Sequence, residues 1–98
     1  MLLPSIIILL AFQPFNTQTI SGKITDDNGN PLSAVSVVVK GTNVAAQSAQ
    51  DGSYKINVTN KDATLVYSAV GYTTQKVKIK GRDTIDVVLI CYSYKHYL

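Results

Sequence analysis

Hydrophobic and polar residues alternate in short segments along the chain from Thr19 onward. In the first segment Ile20, Gly22 and Ile24 share one face of an extended chain, and polar residues share the other. Turn residues separate the segments at intervals of about 8–12 residues, which is the spacing expected in a β-sandwich. The pattern predicts seven strands, over residues 19–25, 34–40, 44–49, 53–58, 64–70, 73–80 and 84–90.

Two turn signals lead to specific local predictions. Residues 26–31 read Asp-Asp-Asn-Gly-Asn-Pro, which combines a dipeptide that tolerates positive φ with a proline that cannot donate to a strand ladder. This stretch therefore predicts the end of the first strand. Gln50-Asp51-Gly52 predicts a hairpin turn, so we expect the strands over residues 44–49 and 53–58 to pair with each other.

The fifth and sixth segments differ in pattern. Residues 64–70 form a nearly continuous apolar run, which is typical of a central strand covered on both faces. Residues 73–80 alternate strictly, with Val77 and Ile79 predicted inward and a row of lysines outward. Because such a row keeps an edge strand from pairing with other chains, this segment is predicted to lie at a sheet edge. The lysines of the row are Lys76, Lys78 and Lys80.

The predicted core follows from the same alternation in the remaining strands. Each strand turns its aliphatic or aromatic residues to one face, where they can be buried. Besides those already named, the residues predicted to face the core are Val35, Val37, Val39, Tyr54, Ile56, Val58, Ile85, Val87 and Leu89.

The composition supports an all-β protein of one small domain. The chain has 98 residues, of which 46% are hydrophobic and 15% charged. All six acidic residues are aspartates, and Val, Ile, Thr and Tyr are common, which favours strands over helices. The net charge of +3 comes from scattered basic residues, so it does not indicate a nucleic-acid partner.

Catalytic, metal and cofactor sites are not expected. The chain has one cysteine, Cys91, and one histidine, His96, whereas zinc sites need three or four such ligands and a disulfide needs two cysteines. On an extended segment these two side chains lie on opposite faces, which argues against a thiol–imidazole pair. The acidic loop 26–30 resembles a calcium loop only superficially, because the chain lacks the glutamate that an EF-type loop uses.

The N-terminal segment has the length of a signal-peptide core. Residues 2–12 are mostly apolar and fall short of the roughly 20 residues of a membrane-spanning helix. No Lys or Arg precedes the run and no Ala-x-Ala site follows it, which leaves an atypical signal peptide, a misplaced start codon or a buried strand as alternatives. We expect residues 1–18 to be a signal peptide and the protein to be exported.

An ordered series of short motifs resembles the carboxypeptidase-regulatory-like domain. The resemblance covers residues 19–90 and implies a transthyretin-like fold, which is a seven-stranded Greek-key β-sandwich. In Bacteroidetes such domains are found at the N-terminus of SusC/RagA-type TonB-dependent outer-membrane transporters, so the resemblance implies a part in nutrient uptake. The motifs are Ile20-Ser21-Gly22-Lys23-Ile24-Thr25-Asp26, Gly29-Asn30-Pro31-Leu32, Val35-Ser36-Val37-Val38-Val39-Lys40-Gly41-Thr42, Asp51-Gly52-Ser53-Tyr54 and Gly71-Tyr72.

The chain departs from the family pattern in two loops and in its tail. Ala34 stands where the family usually has glycine, and Ser48-Ala49 where it usually has Thr-Asp. After the last strand, residues 91–98 form a short Tyr-rich tail in place of a plug and a barrel. A barrel needs at least eight strands of about 9–11 residues. The tail either prolongs the last strand and pairs with another protein by strand addition, or ends a truncated gene.

Three function hypotheses follow. The first is a non-catalytic accessory domain that contacts an outer-membrane transporter, its lipoprotein or its energy-coupling partner. Its basic row would meet an acidic protein, lipid headgroups or lipopolysaccharide phosphates, unless the row is simply a solvated edge. The second is an exported sandwich that binds a glycan or another surface ligand through an exposed aromatic platform. Tyr72 or the tyrosines of the tail would supply this platform, unless Tyr72 merely covers the sheet end. The third is a gene fragment without independent function. The candidate interaction residues are Lys76, Lys78, Lys80, Arg82 and Tyr72.

Overall fold

The computed structural model describes residues 17–92, which form seven strands and no helix. The β2–β3 hairpin belongs to one sheet, and the chain then returns to pair β4 with β1 in the other, which is a Greek-key connection. The predicted all-β, seven-stranded sandwich is confirmed. The strands are β1 (Gln18–Asp26), β2 (Ser36–Val39), β3 (Ala45–Gln47), β4 (Ser53–Val58), β5 (Thr64–Ser68), β6 (Gln75–Lys78) and β7 (Val87–Leu89).

The two sheets contain three and four strands. The order of the first sheet is β4-β1-β7, with β1 antiparallel to β4 and parallel to β7. The order of the second sheet is β3-β2-β5-β6, and all its pairs are antiparallel. The predicted edge position of the lysine-bearing strand β6 is therefore correct.

The core lies between the sheets and consists of the residues that the alternation predicts. Gly22 and Val77 are half-buried, and all other predicted core residues are at most 6% exposed. Leu65 and Tyr67 of β5 complete this cluster, with no exposed surface. Burying one such side chain contributes about 1.5–3 kcal/mol, so a small sandwich depends on nearly all of them.

The predicted hairpin between residues 44–49 and 53–58 is wrong. β3 pairs with β2, whereas β4 pairs with β1 in the opposite sheet. The buried Ser48 extends the β2–β3 pairing, because its amide donates to the Val35 carbonyl at 3.0 Å and its hydroxyl accepts from the Val35 amide at 2.9 Å. The turn at residues 49–52 reverses the chain as predicted, but it carries the chain from one sheet to the other.

The prediction that residues 64–70 are covered on both faces is also wrong. β5 does lie between β2 and β6, and Leu65 and Tyr67 face the core. Its other face is half-exposed, and Val70 lies beyond the strand with its side chain fully exposed. The reason is that an antiparallel sandwich covers each sheet on one face only, so an apolar run need not be buried throughout.

Candidate interaction surface

Two lysines occupy the outer face of the edge strand β6. Lys76 and Lys78 are exposed, whereas Gln75 and Val77, on the face toward the other sheet, are half-buried. Lys76 stands opposite Val66 and Lys78 opposite Thr64 on β5, so neither lysine has a carboxylate beside it on the neighbouring strand. These two residues are called the β6 lysine pair below.

Lys80 and Arg82 do not continue this row, although the strand was predicted to extend to residue 80. Lys80 and Gly81 have φ values of 51° and 76°, and the Arg82 amide donates to the Ile79 carbonyl at 3.0 Å. Two successive positive φ values with this bond define a type I′ turn, which ends the strand. The Arg82 guanidinium folds back and donates to the carbonyls of Ile79 at 3.0 Å and Lys78 at 2.5 Å.

Backbone bonds place this turn beside Lys61 and place Lys40 across β5 from Lys78, and the sequence analysis missed both Lys61 and Lys40. The Gly81 amide donates to the Lys61 carbonyl at 3.0 Å, and the Lys40 amide donates to the Thr64 carbonyl at 2.9 Å. The strand register, once known, gives this clustering, but no single segment of the sequence does. The group formed by Lys40, Lys61, Lys80 and Arg82, all exposed, is called the basic end.

Tyr72 packs against the core rather than standing free. It is half-buried, contacts the core cluster, and forms an isolated antiparallel bridge with Cys91. The Thr73 amide donates to the Ile90 carbonyl, and the Tyr92 amide donates to the Gly71 carbonyl, both at 2.8 Å. The first two tail residues therefore run beside the segment that follows β5, and the rest of the predicted tail, including His96, lies outside the described residues.

A buried polar cluster joins β4 and β1 of one sheet to β5 of the other. The Tyr54 hydroxyl donates to the Ile85 carbonyl at 2.7 Å, so the Tyr67 hydroxyl, also at 2.7 Å, donates to Tyr54. Gly22 makes this possible, since a Cβ there would lie 1.9 Å from the Ile85 oxygen. Burial raises the pKa of both phenols above the usual value, so neither ionises at neutral pH. These four residues are called the core junction.

Two aspartates at the opposite end of the sandwich serve turn geometry. The Asp26 carboxylate accepts from the Asn28 amide at 2.8 Å and the Asn30 amide at 2.9 Å, and Asp51 accepts from the amide and hydroxyl of Ser53. These bonds lower the pKa of both carboxyl groups. Among residues 17–92 no group of three or more His, Cys, Asp or Glu side chains could hold a metal ion.

Two surface clefts of the described domain have linings without an acid–base pair. One is lined by Thr17, Gln18, Thr59, Asn60 and Lys61. A second lies where β3 and β4 approach each other, and its lining includes Val44, Lys55 and Asn57. Neither lining contains a carboxylate, thiol or imidazole. Within residues 17–92 no helix is long and apolar enough to cross a membrane.

Comparison with solved structures supports the fold. A cohesin–X–dockerin complex from Acetivibrio cellulolyticus, an N-terminal interface mutant, matches with a TM-score of 0.59 and 18% identity, over 76% of this chain and 58% of that chain. A DUF3823 family protein from Bacteroides ovatus matches with a TM-score of 0.54 and 23% identity, over 78% and 45%. At these identities the likeness extends to the fold alone.

Sequence comparison identifies the family. TonB-dependent receptor P39 of Formosa agariphila is 37% identical over 89 residues, and receptor P3 of the same organism is 32% identical over 85 residues. The matches cover 85% and 86% of this chain but only 9% and 8% of the two receptors. The model of the CarboxypepD_reg-like domain matches residues 20–96. The resemblance noted in the sequence is thus confirmed, and the chain belongs to the CarboxypepD_reg-like domain family.

Proposed function

We propose that this chain acts as a non-catalytic interaction domain of a TonB-dependent outer-membrane uptake system. Its relatives are TonB-dependent receptors, and this chain corresponds to less than a tenth of their length. The proposed contribution is contact rather than chemistry, and the family assignment together with the packed core supports it. The same relationship and the apolar run over residues 2–12 support export.

The β6 lysine pair is the observation that singles out one surface as the contact. It lies at the free edge of the four-stranded sheet, and neither lysine has an acidic neighbour on β5. Two lysines whose Cα atoms lie about 7 Å apart on one face of a strand favour a partner with carboxylates on an exposed segment. The proposed partner is therefore an acidic surface of the receptor, of its lipoprotein or of the energy-coupling machinery.

The glycan-binding alternative has less support. Sugar-binding sandwiches present exposed aromatic faces, whereas Tyr72 packs on the core cluster and is half-buried. Tyr54 and Tyr67 are at most 3% exposed, whereas Tyr92 is 48% exposed. Among residues 17–92 the glycan hypothesis therefore rests on this one ring, and the interaction hypothesis, which the receptor relatives support, is the one proposed.

Co-purification from native membranes tests the proposed surface. The variant Lys76→Ala/Lys78→Ala removes both charges of the pair and leaves the core unchanged. We expect it to lose most of the outer-membrane receptor or lipoprotein that co-purifies with the unchanged chain, because charge pairs at an interface set both encounter rate and register. The readout is the amount of these identified proteins, measured by quantitative mass spectrometry.

The matched control is Lys23→Ala/Lys55→Ala, which removes the same charge from the other sheet. Both of these lysines are exposed. We expect this control to co-purify normally. An equal loss in both variants would mean that net charge, and not β6, governs the association, and no loss in either would exclude the β6 lysine pair as the contact.

A further inference from the structure

Charge is distributed unevenly between the two ends of the sandwich. The strands run between the two ends of the sandwich, so the loops that connect them form two groups, one at each end. Bonds from Gln18 to the carbonyls of Gly81 and Arg82, at 3.3 and 3.0 Å, identify the first set. The bond from the Ile24 amide to the Gly52 carbonyl, at 2.8 Å, identifies the second.

The first set contains the basic end. Its connections are residues 40–44, 59–63 and 79–83, and they supply three lysines and Arg82. Lys78 lies beside them, because Lys78 and Lys40 flank Thr64 on either side of β5. Since neighbouring strands are about 4.8 Å apart, these two lysines are about 10 Å apart. Two carboxylates share this end, those of Asp62 and Asp83, so its net charge is positive.

The second set carries the opposite sign. Its connections are residues 27–35, 48–52 and 69–74, and none contains a lysine or arginine. Among the described residues its charged groups are Asp26, Asp27 and Asp51, with Lys23 near Asp51. Hydrogen bonds lower the pKa of Asp26 and Asp51, so both remain ionised at neutral pH. Over residues 17–92 the charge is therefore unevenly distributed along the strands, with Thr17, the first described residue, at the positive end.

The chemistry of the basic end fits phosphate-bearing lipid headgroups. Its cations come from three separate connections and form a broad array of exposed side chains, of which Lys61 alone lines the cleft between residues 17–18 and 59–61. Connections 40–44, 59–63 and 79–83 contain no aromatic residue, and stacked bases of single-stranded nucleic acid would need one. Basic residues close to an anionic membrane each add to binding, even without a defined partner geometry.

We infer that the basic end lies against an anionic lipid surface, with the strands pointing away from it. Two observations support this inference: the charge asymmetry between the two ends, and the spread of cations over three connections. This surface adjoins Lys78 of the β6 lysine pair, and the variants that test the two surfaces substitute different lysines. In such an arrangement the acidic end faces away from the membrane.

Vesicle co-sedimentation of the full chain tests the inference. Vesicles of phosphatidylcholine alone are compared with vesicles containing roughly a third phosphatidylglycerol, at salt concentrations up to about 0.1 M. The variant is Lys40→Gln/Lys61→Gln, which leaves the β6 lysine pair intact. The control is Lys23→Gln/Lys55→Gln, which has the same net charge. All four lysines are exposed.

We expect the unchanged chain to prefer anionic vesicles, and this preference to fall on the order of tenfold in the variant but less than twofold in the control. Equal losses in both would overturn the inference, because net charge alone would then explain binding. Equal binding to both vesicle types would also overturn it, since insertion of an apolar segment would then dominate. If Lys40→Gln/Lys61→Gln binds anionic vesicles as well as the unchanged chain but no longer co-purifies from cells with an acidic protein, the basic end contacts a protein and not a lipid surface.

Discussion

The core junction and the β6 lysine pair place opposite demands on the sequence. At the core junction the polar groups are paired in a closely packed space. Gly22 leaves room for the Ile85 carbonyl, which accepts a hydrogen bond from the Tyr54 hydroxyl. The Tyr54 hydroxyl in turn accepts one from Tyr67. On β6 the two lysine side chains are exposed. The junction therefore tolerates almost no change in shape, whereas the lysine pair tolerates many changes in shape but not in charge.

The difference separates stability from recognition within one small domain. A substitution at the junction alters packing and unpaired polar groups, and its effect appears in the free energy of unfolding. A substitution of an exposed lysine alters the free energy of unfolding by roughly 0.5 kcal/mol at most, and its effect appears in binding. Variants of the two regions can therefore be told apart by measuring both quantities.

The largest expected effect is that of Gly22→Ala. The new Cβ would lie 1.9 Å from the Ile85 oxygen and 2.7 Å from its carbonyl carbon, so the β1–β7 pairing would have to move. We expect a loss of more than about 3 kcal/mol in unfolding free energy, or failure to fold. Urea denaturation followed by circular dichroism measures this loss.

Gly29→Ala is the matched control for this substitution. Gly29 has a φ of 86° and open space around its Cβ position, so the cost is backbone strain alone. That strain is about 1–2 kcal/mol. Equal losses at the two glycines would contradict the close approach of the Ile85 carbonyl to β1.

A smaller effect is expected from removing the hydroxyl groups of the junction one at a time. Tyr54→Phe leaves both the Ile85 carbonyl and the Tyr67 hydroxyl without their bonds, so we expect a loss of about 2–4 kcal/mol. Tyr67→Phe removes only the terminal donor, and we expect about 1 kcal/mol. Thermal and urea unfolding of both variants measures the difference. A larger loss at Tyr67 would reverse the donor order assigned to the cluster.

The smallest expected effect concerns pH at the acidic end. Bonds from Asn28 and Asn30 lower the pKa of Asp26 in the folded chain. A carboxyl group with a lowered folded pKa stabilises the fold above its unfolded pKa, near 3.8, and this contribution is lost as the pH falls through the folded value. We therefore expect the unchanged chain to lose stability below about pH 4 more steeply than Asp26→Asn does.

The neighbouring substitution Asp27→Asn provides the control for this pH series, because Asp27 is exposed and has the same charge. Unfolding is followed between about pH 2 and pH 7 for all three proteins. Identical slopes for the unchanged chain and for Asp26→Asn would mean that the turn bonds at Asp26 do not favour the ionised carboxylate.

The sequence predicts the local features of this fold better than its long-range pairings. Alternation identifies Ile20, Val37 and Leu89 as core residues, and the lysines identify β6 as an edge. The turn at Asp51-Gly52 is also predicted, but these residues indicate only that the chain reverses, and not which strands pair on either side of the turn. Which strand β4 joins depends on β1, more than 30 residues earlier in the chain.

The candidate surface shows the same limit. Lys76 and Lys78 follow from a period of two within one segment, whereas Lys80 leaves the row because a type I′ turn gives it a positive φ. Lys40 and Lys61 join the basic end only through bonds to Thr64 and Gly81. The residues around Gly22 likewise do not show why this position needs glycine, because the atom that a side chain there would meet is the Ile85 carbonyl oxygen, far along the chain.

Site-specific photo-crosslinking in native cells tests whether β6 contacts an outer-membrane uptake protein. A photoreactive residue replaces Thr74, exposed directly before β6, in one strain and Val88, exposed on β7 of the other sheet, in a second strain, so that both lysines of the pair are kept. The crosslinked proteins are identified by mass spectrometry. We expect adducts with a TonB-dependent receptor or its lipoprotein from position 74 and few from position 88. Equal adducts from both positions, or none with an outer-membrane uptake protein from position 74, would mean that β6 is not the contact.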